Sequence, residues 1–299
     1  MGFEGRERPK LSFEQAVQKG VATALGLVKE RFERAATPEG NLEYHNTRHT
    51  ESVIRRTKEI LKAIVQANPA GRNERLVGLG ELAGGWHDTV QDGEVDSIED
   101  SSFTKKLLRR FAEKNERKSA DEAVEYMRST GGAFSEEDEQ AVRQAIETTI
   151  PQFSPEVGTV VQPNLTPESG VIARAIALAD IGAAGMDGPE EFSREGNAVF
   201  REDNVDIAEA LQHPEAVSDA QKDFFKKRML GWSGVQESFA AGRKARLDAE
   251  LEGLSEEEKT AVKALFTKFD ESIQNAHEKA ARRKGMSFED LARDFGYAV

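Results

Sequence analysis

Ser169-Gly170-Val171-Ile172-Ala173-Arg174-Ala175-Ile176-Ala177-Leu178-Ala179-Asp180-Ile181-Gly182 is the stretch that decides how this chain folds. From Val171 to Ala179 it is apolar nearly all round, the mark of a helix covered on every side. Asp180 falls on the same stripe as Ile172 and Ile176, because residues four apart share a helix face. An ionised carboxylate is too costly to bury without a counter-charge. Arg174 is the nearest cation and lies on a different face. The partner of Asp180 must therefore come from another part of the chain.

Two more helices carry a polar residue where an apolar one is expected. The first runs from about Thr47 to Gln66, with Asn46 or Thr47 as its cap and Val53, Ile60 and Ile64 as its stripe. One turn before Val53 on that stripe stands His49. The second spans about 73–87, with Leu76, Leu79 and Ala83 leading to His87, and Asp88 follows directly. A single histidine on an apolar face is commonly a core residue. Two imidazoles and two carboxylates from three helices are better explained as one metal site with nitrogen and oxygen ligands.

Periodicity is helical almost throughout, and no alternation of four or more residues suggests a sheet. Further helices are expected at 11–36, 100–115, 119–129, 136–149, 169–182, 188–211, 216–253, 256–281 and 287–295. Residues 151–169 hold Pro151, Pro155, Pro163 and Pro167 and read as a long loop that can shape a site. The expected fold is all-α: a helical bundle over residues 1–253, with an appended helical segment over 254–299. Val262, Leu265, Phe266 and Phe269 form a stripe on that segment, to be buried on the core or on a second subunit.

The chain has 299 residues, no cysteine and a net charge of −13. Without cysteine there are no disulfides, thiolate nucleophiles or cysteine zinc sites. The acidic balance, with no basic stripe among Arg55, Arg56, Lys58, Arg109 and Arg110, argues against a nucleic-acid polymer as partner. No apolar run reaches the roughly 18 residues needed to cross a membrane. The first residues, MGFEGRERPK, lack the apolar core of a secretory signal, so a cytoplasmic protein is expected. Gly78-Leu79-Gly80-Glu81-Leu82-Ala83 matches a dinucleotide-binding pattern by letter only, since no strand precedes it.

The order His, His-Asp, distant Asp resembles the HD-domain superfamily of metal-dependent phosphohydrolases, which are all-helical. Tyr44-His45-Asn46-Thr47-Arg48-His49 fits the Y-H-N-x-x-H start found in a group of predicted bacterial members. Asp96, Glu99 and Ser101 fit parts of the D-N-E-E-x-S segment that follows the His-Asp pair there. Ile146-Glu147-Thr148-Thr149 resembles an I-x-A-T segment, and Phe192 with Val199-Phe200-Arg201-Glu202 a downstream Y…I-R-x-E-Y pattern. The resemblance spans roughly residues 40–250. His87-Asp88-Thr89-Val90-Gln91-Asp92 also resembles the H-D-x-x-E-D motif of alarmone hydrolases, with Gln91 in place of the glutamate.

The resemblance implies a divalent ion, Mn, Mg, Fe, Co or Zn, held by His49, His87, Asp88 and Asp180, with Asp88 able to bridge to a second ion. His45, one turn before His49, is then placed to act as general acid, since imidazole titrates in the neutral range. Glu99 would orient His45 or hold a water. Arg48 and Arg201 are candidates to bind phosphate, which guanidinium forks match. The expected activity is hydrolysis of a phosphate ester or diester of a small metabolite, a nucleotide first among them. A non-catalytic module that senses metal or nucleotide and an alarmone hydrolase are the alternatives. A homo-oligomer is open.

Overall fold

The computed structural model describes residues 11–34, 41–100 and 103–298. Within them the architecture is predominantly all-α: thirteen α-helices and two small antiparallel hairpins. The central helices are α2 (Thr47–Ala67), α3 (Arg75–Trp86), α5 (Glu136–Thr148) and α6 (Val171–Asp180). They pack on one another, with α1 (Phe13–Phe32) and α4 (Lys114–Ser129) outside them. Ile60, Leu61, Ile64, Leu82, Ile146 and Ile176 are all fully buried between them. Val53, Ile60 and Ile64 of the expected α2 stripe face this core as anticipated. Among the described residues, no helix is long and apolar enough to cross a membrane.

The helices begin where capping chemistry starts them. The Asn46 side chain accepts from the backbone N–H of Arg48 and His49, satisfying donors that the first turn of α2 leaves free. Ser135 and Ser255 each close a capping box, at the start of α5 and of α11 (Glu256–Lys263). Close approach of α2 and α3 depends on glycine: a Cβ on Gly84 would stand 3.2 Å from the Ile54 Cα. That spacing lets His49 and His87 meet.

Four expectations fail, one of them the helix expected at 256–281, which divides into α11 (Glu256–Lys263) and α12 (Phe269–Lys284). The segment expected as a helix at 100–115 is instead a hairpin arm. β1 (Gly93–Asp100) pairs antiparallel with β2 (Phe103–Arg110), in a register that sets Gly93 opposite Arg110 and Asp100 opposite Phe103. Val95 and Ile98 lie three apart, not two, and both are about half exposed, so no strand alternation marks the segment. Ion pairs fasten it instead: Arg109 reaches Glu94 and Asp96 across the strands. The 151–169 loop holds a second, very short hairpin, β3 (Gln152–Ser154) with β4 (Thr159–Val161). The helix expected at 188–211 breaks at Asn204 into α8 (Pro189–Asp203) and α9 (Val205–Ala210).

After Asp180, α7 (Ala183–Met186) leads to α8, and the long α10 (Asp219–Glu250) follows. The final segment packs on the same chain. Phe266, and Phe269 of α12 (Phe269–Lys284), lie against Gly185 so closely that a Cβ there would stand 2.5 and 2.6 Å from their rings. Leu291 and Phe295 of α13 (Phe288–Phe295) join Phe200, Ile207, Phe225 and Met229 in a second apolar cluster. Residues 254–298 thus pack on the same chain, with Leu254, Val262, Phe266, Phe269, Phe288, Leu291 and Phe295 buried.

Candidate metal centre

α2, α3 and α6 deliver His49, His87, Asp88 and Asp180 to one point. Four ligand atoms, one from each residue, lie within 4.8 Å of one another. His49 Nε2 stands 3.4 Å from Asp88 Oδ2 and 3.3 Å from Asp180 Oδ1. His87 Nε2 stands 3.0 Å and 3.6 Å from the same two oxygens. These contacts lack hydrogen-bond geometry, and both Nε2 atoms are buried without a hydrogen-bond partner. Ligands at about 2.1 Å from a divalent ion stand about 3.0 Å apart when adjacent in an octahedron and about 3.4 Å apart in a tetrahedron. The four His–Asp spacings, 3.0–3.6 Å, suit ligands that could share one ion.

The surroundings orient His87 and Asp88 for that task, while His49 Nδ1 is buried without a hydrogen-bond partner. The carbonyl of Gly84 can only accept, so His87 Nδ1, 2.8 Å away, carries the proton. The Nε2 lone pair then faces the centre, the arrangement that fixes a metal-binding imidazole. Gln91 donates to Asp88 Oδ1 at 2.9 Å and leaves Oδ2 turned inward. A glutamate at position 91 could not donate there when ionised. Buried Arg56 binds the Ala179 carbonyl, one residue before Asp180, and is itself held by Asp187 and Glu195. Arg174 is buried elsewhere, on the carbonyls of Thr166, Pro167 and Glu250, so it does not neutralise Asp180.

Electrostatics in the bare cluster follow from burial and mutual charge. Burial opposes a charged His49, but Asp180 and Asp88 outweigh it and raise its pKa above 6.5. His87 is raised well above that value against the same penalty, chiefly by Asp88. Burial also opposes the Asp180 anion, yet the two imidazoles hold its carboxyl down to about 2. The cluster thus retains two anionic ligands through the neutral range, the donor set a divalent cation needs.

His45 stands beside the cluster rather than in it, its Nε2 4.0 Å from Asp88 Oδ2. Its Nδ1 lies 2.6 Å from Glu202 Oε1, and since a carboxylate accepts, Nδ1 is the donor. Glu202 also accepts from the backbone N–H of Tyr44 and His45 and from Arg110. Burial would raise its carboxyl, but His45 and Arg110 hold it down to about 2. The carboxylate that orients His45 is therefore Glu202. Glu99 sits exposed on β1 and accepts from Thr104, which corrects its expected role.

The phosphate-binding expectation is corrected as well. A cavity of about 410 Å³ opens on Asp88 and Asp180, and neither Arg48 nor Arg201 lines it. Arg48 is exposed and paired with Glu191, while Arg201 binds Glu43 and the Phe295 carbonyl. Arg110 of β2 is the guanidinium on the cavity wall.

The segment assigned to 96–101 also moves. Asp96 pairs with Arg109 on the hairpin, and Ser101 lies outside the described residues. The letters N-E-x-x-S recur at Asn115-Glu116-Arg117-Lys118-Ser119, at the start of α4. Here they reach the site. Ser119 Oγ accepts from the Val90 N–H, and Asn115 exchanges hydrogen bonds with the backbone of Asp92. Glu116 lines the cavity with an unpartnered buried oxygen, its carboxyl pushed up by burial and by Asp88 and Asp180 nearby. β1 and β2 lie between Asp88 and this second run of letters.

No family model matches this chain, and no curated protein or solved structure matches it.

Proposed function

We propose that this chain is a metal-dependent phosphohydrolase of the HD type, acting on a phosphate ester or diester of a small metabolite, most reasonably a nucleotide. One observation carries the reading. Two buried imidazole Nε2 atoms without hydrogen-bond partners and two carboxylate oxygens stand at metal-ligand spacing, and an oriented histidine lies beside them. A pair of core histidines would normally find hydrogen-bond partners.

A divalent ion held by His49, His87, Asp88 and Asp180 supplies Lewis acidity toward a water and a phosphoryl oxygen. The chain's own groups supply the rest. Glu202 fixes the Nδ1–H tautomer of His45, so Nε2 faces the cavity and, when protonated, can pass its proton to the leaving oxygen. Tyr44 stays a neutral phenol, because burial and Glu195 raise its pKa well above 10. It can donate a hydrogen bond into the cavity without adding charge. Glu116 faces the same space and can accept one from a water or a substrate hydroxyl.

His45 and Glu202 favour an enzyme over a non-catalytic sensor, since metal or nucleotide binding needs no oriented proton donor. The test is a hydrolysis screen over nucleotides, sugar phosphates and nitrophenyl esters with Mn, Mg, Co and Zn, run beside Asp180→Ala. Turnover that requires both the ion and Asp180 is expected. Metal binding without turnover of any ester would leave the sensor reading in its place.

A further inference from the structure

The cavity beside the metal centre has a lining of two chemical kinds. Asp88, Asp180, Glu116 and His45 line it. So do the apolar side chains Phe192, Phe239, Trp232, Val199 and Val160. Phe192 and Phe239 lie parallel, 5.9 Å apart with 15° between their planes. The Trp232 indole N–H donates to the Gly196 carbonyl at 2.9 Å, so the ring offers the cavity only apolar surface. Among the described residues, five large hydrophobic side chains are markedly exposed, and two of them, Phe153 at 61% and Val235 at 50%, stand on this cavity's rim. An exposed apolar rim continuing into an aromatic wall marks a binding surface rather than a folding accident.

Charge bounds the other half of the ligand. Among the described residues, Arg110 is the only Lys or Arg side chain lining the cavity, and Glu202 and Asp203 already engage it. Four carboxylates, Asp88, Glu116, Asp180 and Glu195, line the same space. A chain of two or more phosphates brings three or four negative charges and needs several guanidinium or ammonium partners. One phosphate, placed at the ion, needs none beyond Arg110.

We infer that this site selects esters carrying a single phosphate on an uncharged aromatic or heteroaromatic group, and rejects polyphosphates and small polar phosphates. The inference rests on the phosphohydrolase reading for its chemistry, but its evidence is the cavity wall. Within the readings open from the sequence, it favours a nucleoside monophosphate or monophosphate diester and disfavours an alarmone, which carries two diphosphates.

Binding and turnover test it separately. Calorimetry on the Mn-loaded full chain should find phenylphosphonate bound at least tenfold more tightly than methylphosphonate. Phe153→Ala and Val235→Asp change exposed positions that the fold tolerates, and each should reduce that ratio to about threefold or less. In turnover, kcat/KM for a nucleoside monophosphate should exceed that for glycerol phosphate and for the nucleoside triphosphate by tenfold or more. Equal affinity for the two phosphonates, or preference for the triphosphate, would overturn the inference while leaving a phosphohydrolase. A phenylphosphonate preference with no ester turned over would uphold the inference and remove the phosphohydrolase reading alone.

Discussion

His45 Nδ1 lies 2.6 Å from Glu202 Oε1, and 157 residues of chain separate them. Glu202 also receives two backbone N–H groups from the entry to α2 and the Arg110 guanidinium from the hairpin. One carboxylate thereby ties α8, β2 and the start of α2 together and sets the ring of His45. Glu202→Gln keeps size and can keep an acceptor, but it removes the charged acceptor that fixes the tautomer of His45. The variant should retain metal and lose about 10²-fold in kcat, with KM little changed. Metal content and the kcat and KM pair check it; a loss of metal in step with activity would make Glu202 structural.

His45→Ala should also keep the metal, because His45 is not among the four clustered ligands. Activity on alkyl esters, whose leaving oxygen needs a proton, should fall by about 10²-fold or more. Nitrophenyl phosphate leaves without help and should suffer far less. Comparing the two substrates on one preparation decides the point: equal losses would remove His45 as the proton donor.

pH should act in opposite directions on the metal-free and metal-loaded protein. Without the ion, His49 and His87 have folded-state pKa values above 6.5, because Asp180 and Asp88 outweigh burial. A raised pKa contributes stability that is complete below the unfolded value and disappears as pH rises through the folded one. The low pKa of Asp180 acts at the other extreme, contributing above the unfolded value and failing only as pH falls through about 2. The metal-free Tm should therefore decline as pH rises above about 6.5, the ordinary imidazole value. Bound metal needs neutral imidazoles, so its affinity and the Tm it confers should rise over the same interval. Melting curves with chelator and with Mn would expose the crossing trend; parallel slopes would show that these imidazoles do not ligate.

The ligand set was legible in the sequence because it sits on strongly periodic helices. Asp180 stood out as a charge on an all-apolar helix, and His49 and His87 as polar residues continuing apolar stripes. The residues that complete the site were hidden for identifiable reasons. Glu202 belongs to α8, whose polar pattern looks like a solvated face, and only the fold brings it to His45. The strands at 93–100 and 103–110 are charged and lack alternation, so helix was expected over 100–115, and Glu99 lies exposed on β1. Arg110 lay among arginines of similar appearance, and only the structure distinguishes it from Arg48 and Arg201. The cavity wall draws on α8, α10 and the 151–161 hairpin, a combination no local pattern announces.

The C-terminal layer should be needed for a stable metal centre. α7 begins three residues after Asp180, and its Gly185 and Ala184 carbonyls accept from the Lys268 N–H and the Ser272 hydroxyl. Phe266 and Phe269 cover the same turn, both nearly fully buried. Truncation after Leu254 strips this cover and also removes Phe288, Leu291 and Phe295 from the cluster that holds α8, where Glu202 resides. Such a truncation should aggregate. Phe269→Ala is the milder test: large-to-small changes at a buried phenylalanine cost about 3–5 kcal/mol. That loss lowers Tm without touching a ligand, so at temperatures where the variant is folded it should bind Mn nearly as the parent does. With the ion present, part of the lost Tm should return, because metal binding favours only the folded state. Denaturant unfolding with and without Mn measures both effects. A soluble, metal-loaded truncation with parental turnover would show instead that this layer is an appendage.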